Sequence, residues 1–155
     1  MNRLVEKMSS LAADGKKGLL PYVTAGLPDL PTTERILEAL SDLGVTAVEL
    51  GIPFSDPIAD GPVIQSSFTR ALERGIRVAD ILAMVASFRR RHDLPLLAML
   101  SYSIVHRVGT ERFIAMAAEA GIDGLIVPDL SLEEAPQIAE QVRQAELCMP
   151  MLVSP

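Results

Sequence analysis

The stretch "LGVTAVELGIP", residues 43–53, joins a helix end, a glycine, a strand and a proline in one short run. Side chains alternate along a strand, so Val45, Ala47, Glu49 and Gly51 share one face and Thr46, Val48 and Leu50 the other. Both faces are mainly apolar. That pattern belongs to a strand covered on both sides, as in parallel α/β sheets. A second run, "AGIDGLIVPDL" at residues 120–130, repeats the order of helix end, glycine, strand and proline.

Working outward, further apolar runs near 18–24, 46–51, 95–101, 124–127 and 150–153 read as strands. Amphipathic segments lie between them. Ile36, Leu37, Leu40 and Leu43 form one stripe, with Gly44 as its C-terminal cap. Val78, Ile81, Leu82, Val85 and Phe88 form a second, and Phe113, Ile114, Met116, Ala117 and Ala120 a third that ends at Gly121. A fourth helix opens on the capping box Ser131-x-x-Glu134 and runs to about Gln144. A shorter one occupies Leu4 to Leu11. The alternation of strand and helix predicts an α/β fold with a parallel sheet. The final strand has no helix after it to cover an open sheet of flavodoxin type. The expectation is therefore an incomplete (β/α)8 TIM barrel, with about five strands and four main helices of a fold that usually takes about 250 residues. The unit between the second and third strands is the longest, and α/β enzymes place their sites in such material after a strand's C-terminal end.

The chain has 155 residues, 49% hydrophobic and 22% charged, which suits one globular domain spanning 1–155. A formal net charge of −6 argues against a nucleic-acid partner. No apolar run reaches the roughly 20 residues of a membrane span. A mixed-charge N-terminus and a single cysteine, Cys148, point to a reducing, cytoplasmic setting.

The long second unit reads "VELGIPFSDPIADGPVIQ", residues 48–65. In a barrel, alternation points Glu49 inward near the C-terminal mouth. Poor solvation there would raise its pKa and make it a proton donor and acceptor near neutrality. Its plainer alternative is a strand-end glutamate that reaches water. Asp56 and Asp60 sit among prolines, where aspartates also serve turn chemistry. Glu49, Asp56 and Asp60 are all oxygen ligands as well, though their spacing matches no calcium loop. The residues alone leave acid–base, structural and metal-binding readings open.

Together with "PYVTAGLPD" (21–29), "LSYSIVHRVG" (100–109) and "GLIVPDLSLEEA" (124–135), this stretch resembles the tryptophan synthase α subunit family, in the family's order and spacing. The resemblance covers essentially the whole chain and matches about the first three-fifths of a family barrel, up to its fifth strand. It implies a lyase of tryptophan biosynthesis that cleaves indole-3-glycerol phosphate to indole and glyceraldehyde 3-phosphate by a retro-aldol step. It implies Glu49 as the general acid–base and Asp60 as the ionised carboxylate that bonds the indole N–H. It places Tyr22, Leu100, Tyr102 and Ile126 against the substrate, Tyr22 standing where the family often has phenylalanine and Ile126 where it often has leucine. Pro53, Asp56 and Asp129 fall where the family meets its β subunit, so the implied partner is that pyridoxal-phosphate subunit in an α2β2 assembly, with no cofactor in this subunit.

Other conspicuous residues read as structural. Arg89-Arg90-Arg91-His92 ends a helix and is expected to be solvated there. His106 has no ligand partner at metal spacing, and Cys148 is expected to pack. The sequence holds no glycine-rich phosphate cradle. Barrels usually hold phosphate on the loops after strands seven and eight, so the expectation is a chain with the catalytic pair, no phosphate grip and little activity alone. The alternatives are a non-catalytic half-barrel acting in binding or assembly, and a metal-dependent barrel lyase using Glu49, Asp56 and Asp60.

Overall fold

The computed structural model describes residues 2–57 and 60–152. Four strands, β1 (Tyr22–Thr24), β2 (Val48–Gly51), β3 (Leu96–Met99) and β4 (Gly124–Ile126), form one parallel sheet in the order β1-β2-β3-β4. Around it lie α1 (Arg3–Ala13), α2 (Leu30–Asp42), α3 (Pro62–Glu73), α4 (Val78–Arg89), α5 (Tyr102–Val108), α6 (Thr110–Ala120) and α7 (Ala135–Gln144).

The predicted α/β parallel sheet is present, but its count of elements needs correcting. The expected fifth strand at 150–153 is not formed among the described residues, and Val153 lies outside them. Pairing instead begins earlier, as an isolated parallel bridge between Cys148 and Gly124. Glu146 takes a positive φ of 58°, and the turn there brings Cys148 beside β4. The Leu125 N–H then donates to Cys148 O and the Cys148 N–H to Asp123 O, each at 2.9 Å.

Two helices are additional to the sequence reading. The first, α3, fills the long second unit. It starts at Gly61-Pro62, a favoured N-terminus, yet buries only Phe68 and Ala71, so its sequence shows little stripe. The second, α5, is seven residues long and is capped by the Ser101 hydroxyl, which accepts the Ser103 N–H. The predicted capping box forms only in half: the Glu134 N–H donates to Ser131 Oγ, but the Glu134 carboxylate takes the Ser131 hydroxyl and not its backbone N–H, and the N-cap of the helix is Glu134 itself. The helix begins at Ala135, three residues beyond the start that an N-cap at Ser131 would give.

Alternation divides the sheet as predicted. Val48, Leu50, Leu96, Ala98 and Leu125 face the helices and join the main core with Leu37, Ile81, Val85, Phe88 and Phe113. On the opposite face Ala47, Leu97 and Ile126 form a second cluster with Leu4 of α1. The inner face of the partial barrel is thus plugged by α1 at its N-terminal end.

That end also overturns one expectation. Arg89 is not solvated: its side chain is 10% exposed and ion-pairs at 2.9 Å with Asp123, which is 2% exposed. Arg89 also donates to the carbonyls of Gly121, His92 and Leu94. Arg3 of α1 pairs with the other Asp123 oxygen at 2.9 Å, and the Leu96 N–H donates to the same carboxylate. Burial pulls the Arg89 guanidinium below its ordinary value, while the Asp123 charge opposes that pull.

Candidate active site

The strand register places the first carboxylate. Glu49 lies between Tyr22 of β1 and Leu97 of β3 in the sheet, on the face shared with Ala47 and Gly51. It is half-buried, and among the described residues no hydrogen bond reaches its carboxylate. One pleat nearer the C-terminal end, Thr24, Gly51, Met99 and Ile126 pair across the four strands.

The chain leaves β2 through buried Ile52 and Pro53 and enters the loop that carries Asp56 and Asp60. Gln65 of α3 fastens this loop, donating through Nε2 to Pro57 O at 3.1 Å and to Asp60 O at 2.8 Å. Ser55 Oγ donates to the Asp56 carboxylate at 2.6 Å. Across the mouth, Asp129 follows β4 and accepts from Ser101 Oγ at 2.6 Å and from the Tyr102 N–H at 2.8 Å. That contact ties the loop after β4 to the start of α5.

Between these loops lies a cavity of about 350 Å³. Its walls are apolar, from Phe54, Phe68, Met99 and Leu100, while Asp56, Asp60 and Asp129 bring carboxylates to it. Phe54 and Phe68 meet with ring centroids 6.3 Å apart. Partial burial first, and then the neighbouring Asp129 charge, push the Asp60 carboxyl above its ordinary value. Sequence reading gave Asp60 the fully ionised role, so this upward push is an addition from the structure.

The other predicted site residues distribute as follows. Leu100 lines the cavity with Asp60. Tyr22 lies beside Val63, Ile64 and Ser67 of α3 in a smaller cleft. Its phenol is raised above its ordinary value by burial first. A hydrogen bond from Thr24 opposes that rise, and the charges of Asp60 and Glu49 add to it. Tyr22 pairs with Glu49 across the sheet, so its phenol and that carboxylate share the inner face. Ile126 is buried in the inner-face cluster with Leu97 and Ala47, not on the cavity wall. Tyr102 also lies off that wall. Its ring meets His106 edge-on at 6.0 Å, and partial burial and then Glu134 raise its phenol. Pro53 and Asp56 border a wider groove of about 840 Å³ that runs past Ile76, Val78, Ile104 and Val108. Among the described residues no three of Asp, Glu, His and Cys converge as a metal-ligand set, so Glu49, Asp56 and Asp60 are not gathered as one.

Sequence reasoning missed Phe54, Phe68, Met99 and Gly51. Met99 was within reach, because pairing with Gly51 puts it on the face of Glu49. Gly51 was not, because its role depends on Tyr22: a Cβ there would lie 2.8 Å from Tyr22 Cε2 and overlap the hydroxyl.

A family model described as tryptophan synthase alpha chain matches residues 8–155. The tryptophan synthase alpha chain of Caldanaerobacter subterraneus is 43% identical over 155 residues, all of this chain and 59% of that protein. The chain thus spans less than two-thirds of the curated relatives it matches. The crystal structure of tryptophan synthase subunit alpha from Legionella pneumophila superposes with a TM-score of 0.92 at 39% identity, covering 96% of this chain and 57% of that one. A chain of the tryptophan synthase complex from Pyrococcus furiosus superposes with a TM-score of 0.84 at 40% identity, covering 89% and 58%.

Proposed function

We propose a function from this premise: the chain belongs to the tryptophan synthase alpha chain family. Its residues 1–155 are read as one partial-barrel domain carrying the reacting groups of a lyase that cleaves indole-3-glycerol phosphate to indole and glyceraldehyde 3-phosphate. The observation that carries the reading is the mouth of the sheet, where Asp60 closes an apolar cavity of about 350 Å³ and Glu49 stands on the adjoining inner face.

The chemistry follows from those surroundings. Phe54, Phe68, Met99 and Leu100 offer a flat aromatic ring an apolar slot. Asp60 accepts the ring N–H and faces the positive charge that develops when the ring carbon is protonated. The same repulsion by Asp129 that raises Asp60 in the free protein favours a ligand bringing positive charge between them. Glu49 delivers the proton to the ring carbon and takes the hydroxyl proton of the side chain as the carbon–carbon bond breaks. Tyr22 stands level with Glu49 on the inner face, in its own cleft against α3, while Tyr102 and Ile126 act behind the cavity wall. The chain supplies no cofactor of its own.

The groove beside Pro53 and Asp56 is the surface we assign to a β subunit carrying pyridoxal phosphate, in an α2β2 assembly in the cytoplasm. Asp56 touches both this groove and the cavity, and Asp129 links the cavity to α5, so docking would bear on the site through both loops. Activity of the chain alone should be feeble, because it spans only 59% of its Caldanaerobacter relative and its own sequence offers no phosphate cradle.

The test is indole release from indole-3-glycerol phosphate by this chain alone and by this chain joined to the remaining C-terminal part of that relative. The joined protein should release indole, and the chain alone far less. No release from a folded joined protein would refute the reading.

A further inference from the structure

Among the described residues the Tyr22 hydroxyl is the one side-chain donor at this mouth whose proton is unspent. Ser67 Oγ donates its proton to Ile64 O at 2.7 Å. The 2.7 Å contact between Ser67 and Thr24 Oγ1 must then carry the Thr24 proton. Thr24 approaches the Tyr22 oxygen only at 3.4 Å, so at most it shares that same proton with the phenol. Among the described residues the phenol O–H donates to nothing.

Its position is set by the sheet. Tyr22 starts level with Glu49, but its ring leans across Gly51, which leaves room only because it has no Cβ. The hydroxyl is thereby carried one pleat toward the mouth. There it shares the inner face with Glu49, an acceptor, with neutral Thr24 and Ser67 beside it, and, after burial, the charges of Asp60 and Glu49 both raise its pKa. A ligand oxygen beside Glu49 would find no other uncommitted donor on the described inner face, whose remaining members, Ala47, Gly51, Leu97, Met99, Gly124 and Ile126, carry no side-chain donor.

We propose that the Tyr22 hydroxyl donates a hydrogen bond to the ligand hydroxyl oxygen on which Glu49 acts, with Gly51 making the space that aims it. The inference rests on the reading of the mouth as a site for indole-3-glycerol phosphate.

The chain has two tyrosines and no tryptophan, so Tyr102→Phe leaves Tyr22 as the sole phenolate chromophore. In that background, absorbance titration should place the Tyr22 midpoint above the ordinary 10.0, and Glu49→Gln and Asp60→Asn should each lower it. A midpoint indifferent to both substitutions would overturn the placement. Calorimetric binding to the joined protein then tests the donor. Tyr22→Phe should weaken indole-3-glycerol phosphate about three- to tenfold, the range of one neutral hydrogen bond, and leave indole itself unchanged. Equal weakening of both ligands, or of neither, would overturn the proposal. If the parent joined protein binds neither ligand, the functional reading fails, and the phenolate titration alone decides whether Tyr22 couples to the carboxylates.

Discussion

The two ends of the sheet treat their carboxylates in opposite ways. At the N-terminal end Asp123 is enclosed, with Arg3 and Arg89 each at 2.9 Å and the Leu96 N–H as a further donor. At the C-terminal end Glu49, Asp56, Asp60 and Asp129 have no cation within ion-pair distance among the described residues. The floor neutralises its charge and ties α1, α4 and β4 together. The mouth leaves negative charge unanswered beside an apolar cavity, and that suits a ligand able to bring a donor or a developing positive charge. The same residue type is thus enclosed by cations at one end and left without them at the other.

The contrast breaks most visibly at the floor. Asp123→Ala should cost about 3–5 kcal/mol, the usual penalty for orphaning a buried charge partner, seen as a fall in the urea midpoint at unchanged slope. Arg3→Met should cost less than Arg89→Met, since the Arg3 side chain is 38% exposed and that of Arg89 10%. Equal, negligible losses for all three would mean the floor network holds nothing together.

A middle-sized effect is expected where the mouth depends on packing. Gly51→Ala forces the Tyr22 ring aside and should cost about 1–3 kcal/mol, as overpacking usually does. No loss of stability would show that the ring moves freely and that its position is not set by the sheet.

The smallest effect has the opposite sign. Asp60 is raised above its ordinary value, so its ionised form is disfavoured in the folded state. Asp60→Asn should then stabilise the chain at neutral pH, by less than about 1 kcal/mol because the group is solvent-screened. As pH falls through the raised folded value toward the unfolded one, the parent chain takes up the proton and recovers that stability. The advantage of the variant should close there. An advantage that grew on acidification would reverse the assignment.

Much of this contrast could be read in the sequence, because strand periodicity is local. Alternation through residues 45–51 put Glu49 on the inner face, and the long second unit marked where the site loop falls. What escaped depends on contacts between distant residues. Arg89 looked like a solvated helix end because its partner Asp123 lies 34 positions away. The Asp129 clasp on Ser101 spans 28 positions. The helix α3 was invisible because it buries only two residues, and Gly51 because the need for it arises from a ring on the neighbouring strand.

The most direct test of the account is a paired measurement on Glu49→Gln in the joined protein, namely the rate of indole release together with the urea midpoint. The account predicts a loss of about 10²–10⁴-fold in rate, the usual contribution of a general acid–base, with the midpoint held near that of the parent. A variant that kept the parent rate, or lost rate only in step with unfolding, would contradict it.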